Sequence, residues 1–327
     1  MRLLRAASLA ALLLACLAPS ERAQSPVAFR IPDREFVPEG IAYDASAKTF
    51  YVGSTYLRKI VAVDARGTVR DFTLSGQDGL RGVLGLRVDA RRRLLWAVSS
   101  DLGLSMPIKG VPRDCLGCSD VLKYDLRTGR LLKKYSLPNK PAPHFLNDLT
   151  INADGDVFIS DTLAGELYRI ARRRDELELF ARLGKESFPN GIDLSPDGRR
   201  LFVGTNNSIT AVGVRDRSVA RLRQPAGVKP GIDGLYFHGG GLIGVEPFDK
   251  EKIVRYILDA RAEAVTRVQV LESAHPLMSQ PTTGVVVGRD FYYIANSQLQ
   301  VFRRLFKPGG ELDLAKLSEY VVLRLRL

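Results

Sequence analysis

Histidine, cysteine, methionine and tryptophan are scarce: 327 residues hold three His, three Cys, three Met and one Trp. Such a chain has no repeated His/Cys framework for a metal. Cys115 and Cys118 are its closely spaced cysteine pair, and a zinc site there would need two further ligands nearby. Long apolar runs are equally rare. One, residues 6–17, follows Arg2 and Arg5, and it is too short to span a bilayer yet long enough for a secretory signal. No later stretch has the length and apolarity of a transmembrane helix, and no linker or low-complexity tract interrupts the remainder. A helical stretch is expected only at residues 312–319. The net charge of +12 is spread along the chain, with small clusters at Arg91-Arg92-Arg93 and Arg172-Arg173-Arg174 near expected turns. No nucleic-acid-binding motif accompanies them, so they read as solvated turns, with a weak attraction to anionic membrane surfaces.

Residues 1–20 are therefore expected to leave the mature protein. Leu13-Leu14-Ala15-Cys16 looks like a bacterial lipobox, and Pro19 disfavours an ordinary cut after Ala18. A periplasm-facing lipoprotein tethered through Cys16 is the first expectation, and a freely secreted protein the second. Outside the cytosol the remaining cysteines, Cys115 and Cys118, suit a disulfide better than free thiols, and a redox role would need a βαβ setting that the sequence lacks.

What the sequence does contain is repetition. Residues 188–205 read as a strand, a Ser195-Pro196-Asp197-Gly198 turn and a second strand, since Pro at the second turn position and Gly at the fourth fit a tight reversal. The opening of this hairpin recurs. Glu39-Gly40-Ile41, Leu84-Gly85-Leu86, Asn147-Asp148-Leu149, Asn190-Gly191-Ile192, Asp233-Gly234-Leu235 and Thr283-Gly284-Val285 all begin an apolar strand, at intervals of about 45 residues. Further strands such as Ile60-Val61-Ala62-Val63 follow each opening. Four strands per repeat predict an all-β fold, a six-bladed β-propeller of antiparallel four-stranded blades forming one domain over residues 27–327. Closing the ring requires a terminal strand, because an open ring leaves sheet edges unpaired. Both Val27-Ala28-Phe29-Arg30-Ile31 and the segment from Tyr320 to Leu325 are candidates.

In a propeller the innermost strands line the central channel, so equivalent repeat positions face one another. The residue before the aligned Gly or Asp is Glu39, Leu84, Asn147, Asn190, Asp233 or Thr283. Two carboxylates and two amides then converge as an all-oxygen set suited to a hard cation. Calcium is the first expectation, with magnesium, manganese and zinc as alternatives; the lack of His and Cys at these positions argues against zinc or copper as the preferred ion. Any one of these residues would serve equally as a turn or cap that bonds its own backbone. Their coincidence at one repeat position is what favours a site. An insertion at residues 101–120, between the second and third strands of its blade, overhangs the same end and contains Met106. It reads either as a lid or as a packed surface excursion.

From Pro38 onward the chain resembles the senescence marker protein, gluconolactonase and luciferin-regenerating enzyme family, with a more distant likeness to paraoxonases. The resemblance rests on Glu39-Gly40, Asn147-Asp148, Asn190-Gly191 and Asp233-Gly234. It implies that Glu39, Asn190 and Asp233 are metal ligands, and that Asn147 contacts substrate or joins the metal shell. Two departures matter. Phe145 stands where gluconolactonase-type members carry an Arg that grips a sugar acid, and Leu84 stands where paraoxonase-type members carry a catalytic His.

The resulting expectation is an exported metal-dependent lactonase or esterase acting on a small, fairly apolar lactone or ester, without nucleic-acid partners and as a monomer. The metal would stabilise the oxyanion while Asp148 or Asp233 activates water. Metal ligands would be Glu39, Asn190, Asp233 and Asn147; substrate contacts would be Asn147, Phe145, His144, Thr283 and Met106. The alternative is a non-catalytic propeller that binds a ligand or protein and holds a structural metal.

Overall fold

The hairpin at residues 188–205 forms as its sequence dictates. Strands Ile192–Leu194 and Arg200–Thr205 pair antiparallel, and the reversal is closed by Gly198 N–H donating to the Ser195 carbonyl at 2.8 Å. Asp197 Oδ1 accepts from the Ser195 hydroxyl and the Arg199 amide, as turn aspartates commonly do. Equivalent hairpins recur through the computed structural model, which describes residues 24–101, 109, 116–248, 250–305 and 314–327.

The strands form six four-stranded antiparallel sheets, the blades of a six-bladed β-propeller. The inner strands are Pro38–Asp44, Gly82–Asp89, Leu146–Ile151, Ile192–Leu194, Leu235–His238 and Gly284–Val287, one per blade in chain order. The closure uses both terminal candidates. Tyr320–Arg326 is the third strand of the last blade, and Val27–Ile31 pairs with it antiparallel as the outermost strand. The N-terminal strand is the outer edge of that blade and the C-terminal strand lies just inside it, so the ring is fastened by pairing the two ends of the chain.

Apolar residues fill the spaces between neighbouring blades, as in the cluster of Ala42, Tyr51, Leu86, Leu95 and Tyr124 between the first and second. At the axis the inner strands approach so closely that the repeated glycine is a steric requirement. A Cβ on Gly40 would lie 1.8 Å from the Leu84 carbonyl oxygen, and one on Gly191 would lie 2.4 Å from that of Asp233. Gly191 N–H donates to the Asp233 carbonyl at 2.7 Å, and Gly234 N–H to the Thr282 carbonyl at 3.1 Å, so the same closeness stitches blade to blade. Thr282 and Thr283 hydroxyls complete the circuit by donating to the Glu39 carbonyl.

The insertion leaves the second blade where Ser100 pairs with Ser119, at the end where the inner strands begin. Of it, residues 102–108 and 110–115 lie outside the described residues, and with them Met106 and Cys115. Cys118 is disulfide-bonded. The helical expectation at 312–319 is corrected: the segment holds a 3₁₀ turn at Leu314–Lys316, while an α-helix forms earlier, at Leu299–Leu305, in the corresponding loop of the sixth blade. Leu299 packs against apolar clusters on both sides of the axis, one containing Phe36 and Tyr56 and the other Leu84 and Phe145. No helix among the described residues is long and apolar enough to cross a membrane.

Because the Gly40 hydrogen faces backbone rather than a movable side chain, Gly40→Ala is expected to cost more than about 2 kcal/mol. Gly198→Ala meets open space but has a positive φ of 68°, so about 1 kcal/mol is expected. Denaturant unfolding of the two variants measures the difference.

Candidate metal centre at the mouth of the ring

The six openings meet at one end of the channel, and five of them carry Gly at the aligned position. The exception is Asp148. Its carboxylate sits at the step from the third blade to the fourth, accepting from Leu149 N–H at 2.8 Å and from Ile192 N–H at 3.4 Å. The Cβ that glycine avoids elsewhere here carries a charged group that is 2 % exposed. Burial raises the Asp148 pKa, opposed by the guanidinium of Arg87 at 3.9 Å and by the two amide donors.

The polar residues just before this position have a consistent orientation. Asn147 Nδ2 donates to the Thr162 hydroxyl at 3.0 Å, and that hydroxyl donates onward to the Pro189 carbonyl at 2.6 Å. With the Thr162 hydrogen spent on Pro189, its oxygen can only accept, which fixes the Asn147 amide with nitrogen toward Thr162 and leaves the Oδ1 uncommitted. Asn190 is held in the same sense. Its side chain donates to the Asp233 carboxylate, and its Oδ1 is a buried acceptor with no hydrogen-bond partner. Asp233 itself is pushed up to about 7, first by burial and also by the nearby charge of Asp148, with the Asn190 hydrogen bond opposing. Glu39 is buried two blades further around, next to Thr283 of the blade between.

Among the described residues no three His, Cys, Asp or Glu side chains gather as a metal-holding group. The mouth instead offers two carboxylates, Glu39 and Asp233, with the amides of Asn147 and Asn190. An orphaned buried amide oxygen lacks a partner, and the neighbouring carboxyl is reluctant to ionise because burial leaves its charge uncompensated; a hard cation satisfies both. The residues present fit such an ion.

The other expected site residues fall as follows. Phe145 is buried against Leu84 and Leu146, forming an apolar wall beside Asn147. Thr283 is also buried, and its hydroxyl is committed to the Glu39 carbonyl. His144 Nδ1 pairs with the fully buried Asp161 at 2.6 Å, and its backbone N–H holds the root of the insertion through the Gly117 carbonyl. Leu84 is buried and closes the second-blade position with hydrocarbon.

A second polar layer lies deeper, and the sequence reading missed it. Three residues beyond each site position come Ala42, Arg87, Thr150, Asp193, Tyr236 and Val286. Arg87, from the second blade, lies over the ring of Tyr236, from the fifth, 5.2 Å from its centroid, and thus crosses the channel. Asp193 accepts from the Thr150 hydroxyl at 2.9 Å and from Phe237 N–H at 2.8 Å. Burial works against the Arg87 charge, but Asp148, Tyr236 and Asp193 outweigh it and raise its pKa. The signal was present in the alignment. It was hidden because β-bulges between Pro38 and Ile41, Val83 and Leu86, and Leu146 and Leu149 break the two-residue alternation that a strand is expected to follow. A crevice of about 310 Å³ lined by Arg200, Leu222 and Arg223 lies away from this axis, between outer strands.

Fold and site together define a six-bladed propeller with an oxygen-rich mouth. The similar solved structures have the same fold: a gluconolactonase from Xanthomonas campestris (15% identity, 92% of this chain and 88% of that one, TM-score 0.56) and a luciferin-regenerating enzyme (12%, 91% and 95%, 0.58). Virginiamycin B lyase from Staphylococcus aureus is also similar (15%, 81% and 80%, 0.56). No protein-family model and no curated protein matches the sequence.

With a folded pKa near 7 against an ordinary value near 4, Asp233 favours the folded chain while protonated, and that contribution is lost as pH rises through about 7. In chelator, the melting temperature is expected to fall between about pH 4 and pH 8. Calcium should restore it more at pH 8 than at pH 5, and a thermal-shift series with and without calcium measures this.

Proposed function

We propose that the protein is a metal-dependent hydrolase, a lactonase or esterase for a small, fairly apolar substrate, exported to the far side of a membrane. The observation that carries this reading is the shared orientation of Asn147 and Asn190, each with its nitrogen engaged, Asn147 by Thr162 and Asn190 by Asp233, and with the Asn190 oxygen buried and unpartnered. Glu39, Asn147, Asn190 and Asp233 would hold a calcium-type ion, which when bound supplies Lewis-acid stabilisation to a carbonyl oxygen.

The chain's own residues supply the rest. Asp233, ionised once a cation is near, serves as a ligand. Asp148 then takes the proton of the attacking water, its basicity raised by burial and its position fixed by Leu149, Ile192 and Arg87. Phe145, Leu84 and Leu299 give the mouth apolar walls, which favour a hydrocarbon-bearing acyl group over a sugar acid. Buried apolar side chains also keep bulk water from the reacting carbonyl. The gluconolactonase among the fold neighbours supports this class of reaction, while the lyase and a sugar dehydrogenase with the same architecture show that the fold hosts other chemistry.

Hydrolysis of a panel of lactones and aryl esters, with calcium and with chelator, tests the proposal. Asp148→Asn should retain calcium and lose about 10²–10⁴ in kcat. Asn190→Ala should lose both. Thr162→Val, which frees the Asn147 amide to turn, should weaken calcium about 10–100-fold without touching it directly. Tight calcium binding with no hydrolysis across the panel would instead favour a ligand-binding propeller.

A further inference from the structure

The end of the propeller opposite the mouth carries a different kind of surface. There the first strand of each blade turns into the second, and the third into the fourth. Every blade places an exposed arginine on these turns: Arg66, Arg127, Arg173, Arg215, Arg261 and Arg289 in chain order. Among the described residues none of these side chains is engaged in an ion pair or hydrogen bond. The aspartates of the same turns accept hydrogen bonds from their own turn backbone instead. Asp64 accepts from Arg66 and Thr68 amides, Asp125 from Arg127 and Thr128, Asp216 from Ser218, and Asp259 from Glu263. Carboxylates are thus consumed in shaping the turns while the guanidinium groups project outward. The mouth-side loops differ, presenting the exposed apolar side chains Leu163, Phe188 and Phe248.

The chain also enters at the arginine-bearing end. Gln24, the first described residue, lines a groove with Asp290, Arg326 and Leu327, and Leu327 N–H donates to the Arg289 carbonyl at 2.9 Å. Cys16, the lipobox cysteine, precedes Gln24 by about eight residues, which extend at most roughly 28 Å. A chain tethered there keeps this end near the bilayer.

We propose that the ring of arginines is a docking surface for an anionic phospholipid bilayer, and that it holds the propeller with its mouth facing away from the membrane. The proposal rests on the tether reading for orientation, and on the arginines alone for the attraction; it is independent of the hydrolase reading. A lipid tether fixes where the chain enters the bilayer but not how the domain leans on it, and a basic surface adds an attraction to anionic headgroups of about 1 kcal/mol per Lys or Arg near the surface. One arginine on each blade spreads that attraction around the axis, so the face is drawn on flat rather than by one edge.

The test is co-sedimentation of the full chain with vesicles of phosphatidylcholine alone or with about a third phosphatidylglycerol, at low and high salt. Binding to the anionic vesicles should be the stronger and should weaken with salt. Arg127→Ser/Arg173→Ser/Arg215→Ser should lower it about a hundredfold. The mouth-side pair Lys185→Ser/Lys229→Ser should leave it unchanged. Cys16→Ser should weaken binding to both vesicles yet keep the preference for anionic ones. Circular dichroism checks that each variant folds. Equal binding to both vesicle types, an unaffected triple variant, an equal loss in the lysine pair, or disappearance of the anionic preference in Cys16→Ser would each overturn the proposal.

Discussion

The close approach of neighbouring inner strands at the axis is the constraint on which the rest depends. Six sheets can share one channel only if their first strands come within backbone contact, and glycine at the aligned position permits that contact. The amides and carbonyls freed there bond across blades, which seals the axis while satisfying groups that burial would otherwise penalise. Around this tight ring the side chain preceding each glycine is brought to the mouth whatever its chemistry. The fold thus prepares six positions, and the sequence decides which of them carry oxygen.

Asp148 is informative because it breaks the steric rule. Where glycine would let the third blade press on the fourth, a carboxylate occupies the step and itself bonds Ile192 across it. One blade contact is traded for a fixed buried anion. Its counter-charge comes from Arg87 across the channel, and the Tyr236 ring steadies the far side of that guanidinium. Removing water from such groups is costly unless each has a partner; the deeper layer gives hydrogen bonds to Asp148 and Asp193 and opposite charge to Arg87, whose Nη2 makes no hydrogen bond. In the upper layer Asn190 Oδ1 has no hydrogen-bond partner and burial pushes the Asp233 pKa up to about 7, so the oxygens there lack a donor or a positive charge.

Much of the architecture was legible in the sequence, because glycine and turn chemistry repeat at a fixed interval and the physical reason for them repeats too. The six blades, the position of the insertion and the ring of oxygen-bearing residues could all be read from the recurring openings. Arg87 and Tyr236 could not be read in the same way. A strand is expected to alternate faces every two residues, and the bulges in the inner strands displace that count, so the second ring appears only when positions three apart are compared. The terminal closure was half legible: either end had the pattern of a strand, but that both enter one blade is a property of three-dimensional pairing. The helix at Leu299–Leu305 carries no strong cap or period, and it is the packing of Leu299 across the axis that gives it a place.

These features divide the channel by function of charge. At the floor the Arg87 guanidinium faces Asp148 at 3.9 Å and the Tyr236 ring at 5.2 Å from its centroid, so charges of both signs come from the chain itself. At the mouth the same ring leaves oxygens turned inward with their nitrogens already engaged by Thr162 and Asp233, and this geometry cannot be relaxed by rotating the amides without breaking those bonds. An amide free to rotate would present either end and would select for no particular ligand. Fixed in this sense, it presents an acceptor rather than a donor, and Phe145 and Leu84 place hydrocarbon in the blade positions beside it. Similar folds host a gluconolactonase, a lyase and a dehydrogenase, so the chemistry of this chain has to be argued from its own side chains, the two held amides among them, rather than from the shape of the ring.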